Sequence, residues 1–412
     1  LSDAGAFAAS LSATFARAVA SFDLGALVAA ELATLERPRR ARLIAVGKAA
    51  PAMTRGAFSV WNTCIERALV VAPDGTPPPP LDPRIELLRA AHPIPDERSV
   101  VAASRALDLV RGAEVTVALI SGGASALLCA PHDGVTLAAK RDVTRALLAS
   151  GADIRAINVV RRHLSRIKGG GLARAAWPGR VIALLASDVL AGPGEDVRTD
   201  IGSGPTVPDA TTTELANAIL ARHGIPAPAS LHETLKPGEP AAAHQTSAII
   251  ASPGAFAAHL AAALAPLRVR QLDASTLDIH RLAAEYLALA ATLQAGEALV
   301  RCAEPSLEVP ANTAGTGGRA SHLAALVARA LPAGVAFLAG ATDGVDGTSP
   351  AAGASVHAST FTDRAAVDAA LRDHATGDLH ARAGSAIVLG PTGLNFSDIH
   401  VLARAPLPPA RP

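Results

Sequence analysis

The chain has 412 residues, half of them hydrophobic, which is enough for two or three domains and a sizeable core. Charged residues are 18% and nearly cancel, to a net charge of +1, so no whole-surface field recruits nucleic acid or an anionic membrane, and aromatics at 3% leave no platform for stacking bases. Three scattered cysteines (Cys64, Cys129, Cys302) with no Cys-x-x-Cys exclude a disulfide scaffold and suit a reducing, cytoplasmic setting.

The leading Leu-Ser-Asp-Ala-Gly carries no basic stretch, so no secretory signal is expected there. Residues 43–46 form a short apolar run that predicts a strand; Gly47-Lys48 follows, then a helix through Ala57. A second strand is predicted over 68–71, ending at Pro73-Asp74-Gly75 and four prolines. A third, over 115–120, ends in Ser121-Gly122-Gly123 before a helix of small residues. Residues 161–168 carry a basic run read as helical. That spacing places Arg161, Ser165 and Lys168 on one face and Arg162 and Arg166 on another, until Gly169–Gly171 ends it. The apolar run 181–186 predicts a strand entering Ser187-Asp188 and an acidic loop with Glu195, Asp196, Asp200 and Asp209. A helix over 211–223 and a proline-rich stretch around Lys236-Pro237-Gly238 then mark a boundary.

The second half restarts the pattern, with strands expected over 248–251, 269–272, 298–302, 335–339 and 386–389 and helices over 319–330 and 365–372. The uncharged window 246–267 is broken by Ser252-Pro253-Gly254, so it predicts a strand, a turn and an Ala-rich helix, not a membrane span. Strands separated by helices argue for a parallel, doubly wound sheet, where ligands sit beyond the carboxyl ends of the strands. Gly47-Lys48, Ser121-Gly122-Gly123, Ser187-Asp188 and Thr342-Asp343-Gly344 all occupy such ends.

Each of these loops has a chemical and a plain reading. The chain has only four lysines (Lys48, Lys140, Lys168, Lys236), every other formal cation being Arg; a lysine kept beside glycine suggests a need for a compact ammonium at an anion. The plain alternative is a lysine that snorkels to solvent. Ser121, Gly122, Gly123 and Ser125 can form a nest of main-chain N–H donors for phosphate or carboxylate, or simply a tight turn. Of the two cationic stripes, one suits a substrate carboxylate and the other a solvated face. Asp188 is the candidate Mg²⁺ ligand, while most loop aspartates serve as caps. The stretch 312–319 contains Gly-x-Gly-x-x-Ala, a weak dinucleotide match after Pro310; a loop cradling nucleotide phosphates at Gly317 and Gly318, with Arg319 nearby, fits equally well. Asp343 can be a second carboxylate or a proton acceptor, against a simple turn. His132, His163 and His322 are read as structural or surface residues.

Taken in order, Val46–Ala50, His92–Asp96, Ile120–Leu128, Asn158–Ala173, Ser187–Val189, Gly202–Asp209, Gly317–Arg319, Thr342–Gly347 and Gly390–Asn395 resemble the glycerate 2-kinase family with a C-terminal MOFRL domain, whose members are also labelled hydroxypyruvate reductase. The family's usual Asn-Gln-Glu after Gly-Gly-Arg is here Ala320-Ser321-His322, and the loop after Asp188 is longer and richer in proline and glycine. The resemblance implies an α/β protein of two domains. An N-terminal Rossmann-like doubly wound parallel sheet would cover 1–237, and a smaller MOFRL-like domain with a mixed sheet 241–405, with the site in the cleft between them. It implies a monomer or homodimer that transfers the γ-phosphoryl group of ATP, with Mg²⁺, to the 2-hydroxyl of D-glycerate or a related hydroxy acid. Lys48, Arg319 and Asp343 would be catalytic. Ser121, Gly122, Gly123, Ser125, Arg161, Arg162, Lys168, Gly317 and Gly318 would bind substrate or phosphate, and Asp188 the metal. The alternatives are an NAD(P)H-dependent hydroxypyruvate reductase and a non-catalytic metabolite-binding relative.

Overall fold

The structure, a computed structural model, describes residues 3–192, 195–228, 230–310 and 313–407. The chain divides into two compact units, one formed by Asp23–Val189 with Glu195–Ala251, the other by Leu1–Phe22, Leu190–Gly194 and Ser252–Pro412.

The first unit is built on six strands: β1 (Ala41–Val46), β2 (Ile65–Pro73), β3 (Ile85–Ala90), β4 (Val115–Ile120), β5 (Arg180–Ala186) and β6 (Gln245–Ala251). Their order is β3-β2-β1-β4-β5-β6, and every pair is parallel. Helices separate β1 from β2, β3 from β4 and β4 from β5. This is the expected doubly wound Rossmann-like sheet. Parallel strands covered on both faces must be apolar throughout, as β4 is, with all six residues buried. The edge strand β3 was not apparent in the sequence. Its residues are mostly half-buried and include Glu86 and Arg89, as an edge permits. Strand β6, read from sequence as the opening of the second half, is instead the sixth strand here, paired with β5. The window 246–267 accordingly covers β6, the Ser252 cap and a helix over Pro253–Ala263. Among the described residues no single helix is long and apolar enough to cross a membrane.

The order of strands reverses between β1 and β4, and these two are in register to their last residues, Val46 opposite Ile120. Their following loops, Gly47-Lys48 and Ser121–Ser125, therefore start side by side at the switch point, where open α/β sheets hold ligands.

The second unit carries β7 (Arg268–Gln271), β8 (Glu297–Ala303), β9 (Val335–Ala341), β10 (Gly353–His357), β11 (Ala386–Ile387) and β12 (Asp398–Arg404). The order is β11-β10-β9-β12-β8-β7; β7 and β8 are parallel and the remaining pairs antiparallel, giving the expected mixed sheet. Strands β10 and β12 were not anticipated. β12 is the last in sequence but inserts between β8 and β9. The first helix, Asp3–Ser21, packs in this unit: Phe15 is wholly buried against Gly340, and Ser355 Oγ donates to Ala8 O at 2.9 Å.

Candidate active site

In the first unit, hydrogen bonds join the two loops of the switch point. Lys48 N–H donates to Gly122 O (2.9 Å), Ala49 N–H to Ser121 Oγ (3.2 Å), and Ser121 Oγ to Val46 O (3.3 Å). The approach is close enough to dictate residue 47: Gly47 has φ +123°, and a Cβ there would lie 2.2 Å from Ser121 Oγ. This corrects one expectation. Ser121 is buried with its hydroxyl committed to holding the loops together, so it is not a donor to a ligand. Among the described residues no hydrogen bond uses the N–H of Gly122 or Gly123.

Beside Gly123 and Ser125 opens a cavity of about 460 Å³, whose wall includes His92, Cys129, Lys140, Arg141, Arg161 and Lys168 and no carboxylate. Lys168 is buried; its Nζ donates to Ser125 Oγ (2.8 Å), Ser125 O (2.9 Å) and Gly202 O (3.3 Å). Burial, and then the charges of Lys140, Arg161 and Arg162, hold its ammonium well below the usual lysine range. Lys140, also buried, donates to Leu164 O (3.1 Å) and Arg161 O (3.3 Å), and burial pushes it down to about 8. Burial likewise lowers Arg161, whose guanidinium makes no hydrogen bond or ion pair among the described residues. His92 is lowered by burial first and by the Lys48 charge second, so Lys48 acts on this cavity electrostatically. Two buried lysines beside the half-buried Arg161, with no acid in the wall among the described residues, are costly to keep together, and an anion in the cavity would relieve that cost.

The helix Ile154–His163 ends before the predicted face is complete, with Leu164 as its cap. Arg161 and Lys168 still share one cavity, brought there by the turn that follows, not by helical spacing. Ser165 instead donates to Ala130 O. Arg162, one residue on from Arg161, points into the interior. It is 5% exposed, donates from Nε to Asp209 Oδ2 at 3.0 Å, and lies 3.7 Å from Asp200. The expectation that Arg162 meets substrate is corrected: it is one half of a buried ion pair. Asp209 and Asp200 are thereby occupied, and Asp196 holds Arg198. Asp188, half-buried past the end of β5, is not in the wall of the cationic cavity. Lys140 escaped selection because it lies mid-helix with no glycine beside it; its being one of only four lysines was the available signal.

The second unit has its own cavity, of about 600 Å³, bordered by Gly317, Gly318, Arg319, Asp343, Asp346 and Asp398. Asn312 lies outside the described residues. The helix Arg319–Ala328 begins here, but its first amides are already used. Asp346 Oδ1 accepts from Ala320 N–H (3.0 Å) and Oδ2 from Ser321 N–H (2.8 Å). Gly317 N–H goes to Thr348 Oγ1 and Gly318 N–H to Ser321 Oγ, each at 3.1 Å. The expectation that Gly317 and Gly318 cradle phosphates through their amides is corrected. Glycine is needed at 318 because a Cβ would sit 2.2 Å from Asp346 Oδ1 and 2.5 Å from Gly347 N. Sequence reading missed Asp346 as the cap because it is 26 residues downstream.

Arg319 does face the cavity, with Nε 3.3 Å from Asp398 Oδ2, near enough for an ion pair but not aligned as a hydrogen bond. Burial pushes the Asp398 carboxyl up to about 7 against the pull of Arg319, with Asp346, Glu304 and Asp343 adding to the rise. Asp343 Oδ1 accepts from Val345 N–H at 3.1 Å, a turn contact on the cavity rim. Among the described residues no group of three or more His, Cys, Asp or Glu is arranged to hold a metal. His163 is structural, bonded to His232 O and Thr211 Oγ1, and His132 stacks on His232. His322, however, is in the cavity wall.

Comparison with known proteins agrees with this architecture. The family described as "Domain of unknown function (DUF4147)" matches residues 10–236, and the MOFRL family matches 290–398. A protein of Agrobacterium vitis named "Putative hydroxypyruvate reductase" is 40% identical, over 94% of this chain and 92% of its own length. A "D-glycerate 2-kinase" of Thermotoga maritima is 34% identical, over 87% of this chain and 89% of its own. The crystal structure of a glycerate kinase from Thermotoga maritima superposes with a TM-score of 0.87 at 28% identity, covering 97% of this chain and 100% of that one. The chain therefore belongs to the family that joins a DUF4147 domain to a MOFRL domain, the same family its loops resemble, in which relatives are named as glycerate 2-kinases and as hydroxypyruvate reductases.

Proposed function

We propose that the protein is a kinase that transfers the γ-phosphoryl group of ATP to the 2-hydroxyl of D-glycerate. The observation that carries this is the cationic cavity at the switch point, whose wall has no acid and whose Arg161 guanidinium no protein group engages among the described residues. A guanidinium of this kind binds a carboxylate through two parallel hydrogen bonds, and the Gly122 and Gly123 amides supply further donors, whereas Lys168 has spent its three N–H groups on Ser125 and Gly202 O. Phosphoryl transfer asks a protein for positioning and charge neutralisation more than for covalent chemistry. Lys48 in the first unit and Arg319 in the second would each neutralise phosphate charge. Asp343 would orient the attacking hydroxyl and accept its proton.

The donor set fits Mg²⁺. Asp343 and Asp398 present carboxylate oxygens to the second unit's cavity, and Asp398 Oδ2 is buried without a hydrogen bond. An ion that takes one or two carboxylates and completes its shell with water and phosphate oxygens needs no three-residue cluster. Asp188, past the end of β5 in the first unit, is proposed as a separate carboxylate for the metal. When bound, Mg²⁺ would neutralise phosphate charge. The dinucleotide alternative has less support: β1 runs into Gly47-Lys48 with no glycine fingerprint, and the helix after Gly315–Gly318 spends its amides on Asp346.

The test is purified full-length chain with D-glycerate, ATP and Mg²⁺, followed for ADP, with the phosphoglycerate isomer identified by whether enolase consumes it. Hydroxypyruvate with NADPH or NADH runs in parallel. ADP release dependent on glycerate and enolase-competent product are expected. Nicotinamide oxidation without ATP would overturn the proposal. Lys48→Ala should lower kcat by about a hundredfold or more with the fold intact.

A further inference from the structure

The cavity at Arg319 has a neighbour in the same unit. It measures about 690 Å³ and shares Leu307, His322 and His374 with the first, so His322 belongs to the partition between them. Three imidazoles follow one another there: His322 and His374 stack at 5.4 Å between ring centres, and His280 meets His322 edge-on at 6.4 Å. His322 is 3% exposed, yet among the described residues its Nδ1 has no hydrogen-bond partner, and the buried Nδ1 of His374 lacks one too. Native proteins leave few buried polar atoms unpaired, and two on neighbouring imidazoles mark a place where a water, an ion or a ligand group fits. Burial and the two neighbouring imidazoles push His322 down to about 4, so at neutral pH it is an uncharged ring with one donor and one acceptor nitrogen. Leu326 and Leu371 add apolar wall, and Asp278, Glu308, Arg329, Asp368 and Arg372 complete it with charged side chains of both signs. A flat heterocycle with hydrogen-bonding edges suits the imidazole and leucine part of such a lining.

We infer that this second cavity receives the purine base of the nucleotide whose phosphates lie toward Arg319, with the His322 Nδ1 as an in-plane hydrogen-bonding partner. The inference rests on the kinase reading above. A soft metal ion is the competing occupant of three imidazoles, but no metal-holding group of three is present among the described residues.

The ring signals of the histidines, followed by NMR in the full chain, give a readout independent of catalysis, with His322 assigned through His322→Asn. Adenosine should shift the His322 and His374 signals, and Zn²⁺ at equal concentration should not. In kinetics, His322→Leu should raise the KM for ATP about tenfold or more. The KM for D-glycerate and the inhibition constant of inorganic tripolyphosphate should stay within about twofold, and His322→Asn should recover part of the loss. Silence of both histidines toward adenosine overturns the inference, as does a response to Zn²⁺ alone. So does an equal weakening of tripolyphosphate, which would make His322 part of an anion site. If the wild-type chain transfers no phosphoryl group, the functional proposal fails, and the adenosine titration still decides this one.

Discussion

Arg161 and Arg162 are adjacent in the chain and end in opposite environments. About 100° of helical rotation separates them, enough to send one into a cavity and the other into the interior. Arg162 is bound by Asp209 and Thr199 O; among the described residues Arg161 holds no protein group through its guanidinium. Arg161→Leu should therefore raise the KM for D-glycerate about tenfold or more, as expected when a carboxylate loses a bidentate partner, and leave the melting temperature nearly unchanged. Initial-rate kinetics with a parallel thermal melt checks this. An unchanged KM would remove Arg161 from the substrate site.

Asp398 makes a pH prediction at the same scale. Its carboxyl sits at about 7 in the folded chain against 3.8 ordinarily. Between those values the folded chain keeps a proton that the unfolded chain has released, so stability falls as pH rises. The contribution is complete below about pH 4 and lost by about pH 7. Asparagine cannot ionise. Asp398→Asn should match wild type near pH 4.5 and be more stable by about 1–3 kcal/mol at pH 8, measured by denaturant unfolding. A gap that does not change with pH would mean that Arg319 keeps the carboxylate ionised throughout.

At the scale of elements, the helix Arg319–Ala328 depends on a cap from a distant loop. Asp346 binds two of its first amides, and Gly318 lets the loop approach. Asp346→Ala should cost about 1–2 kcal/mol and lower the melting temperature by about 2–8 °C. The loss should be larger than for removal of the local Thr212 cap on the helix Thr213–Arg222, which satisfies one amide at 3.3 Å. Equal losses would refute the special role of Asp346. Caps and glycine approaches of this kind are invisible to local reading, since the partner is chosen by folding and not by spacing. The same limit explains why the run 161–168, read as one helix, divides at Leu164.

At the scale of the whole molecule, the first helix belongs to the unit built from the end of the chain. Phe15 fills space against Gly340 on β9, and the Ala8 carbonyl takes a bond from β10. Phe15→Ala should cost about 3–5 kcal/mol in that unit. Hydrogen exchange would localise it, with β9, β10 and β12 losing protection and β1, β4 and β5 keeping theirs. Uniform loss across both sheets would contradict this independence.

What the sequence determined alone was the set of strands with unbroken apolar runs and the polar loops that follow them. An apolar run of strand length bounded by glycine or aspartate has few other uses, so β1, β4, β5 and β9 and the loops at Lys48, Gly122, Asp188 and Asp343 were legible. Arg161, Lys168 and Arg319 were legible as candidates for the same reason. The tertiary structure alone decided which of them face a cavity, because that depends on where a helix stops and which carboxylate arrives from elsewhere. It turned Arg162 and Ser121 into structural residues, brought in Lys140, gave Gly318 to Asp346, and moved β6 into the first sheet. It also paired β3, β10 and β12, whose mixed or short patterns acquire meaning only beside a neighbouring strand. Local chemistry is written in the order of residues; a shared wall or a buried ion pair forms only when segments far apart in that order meet.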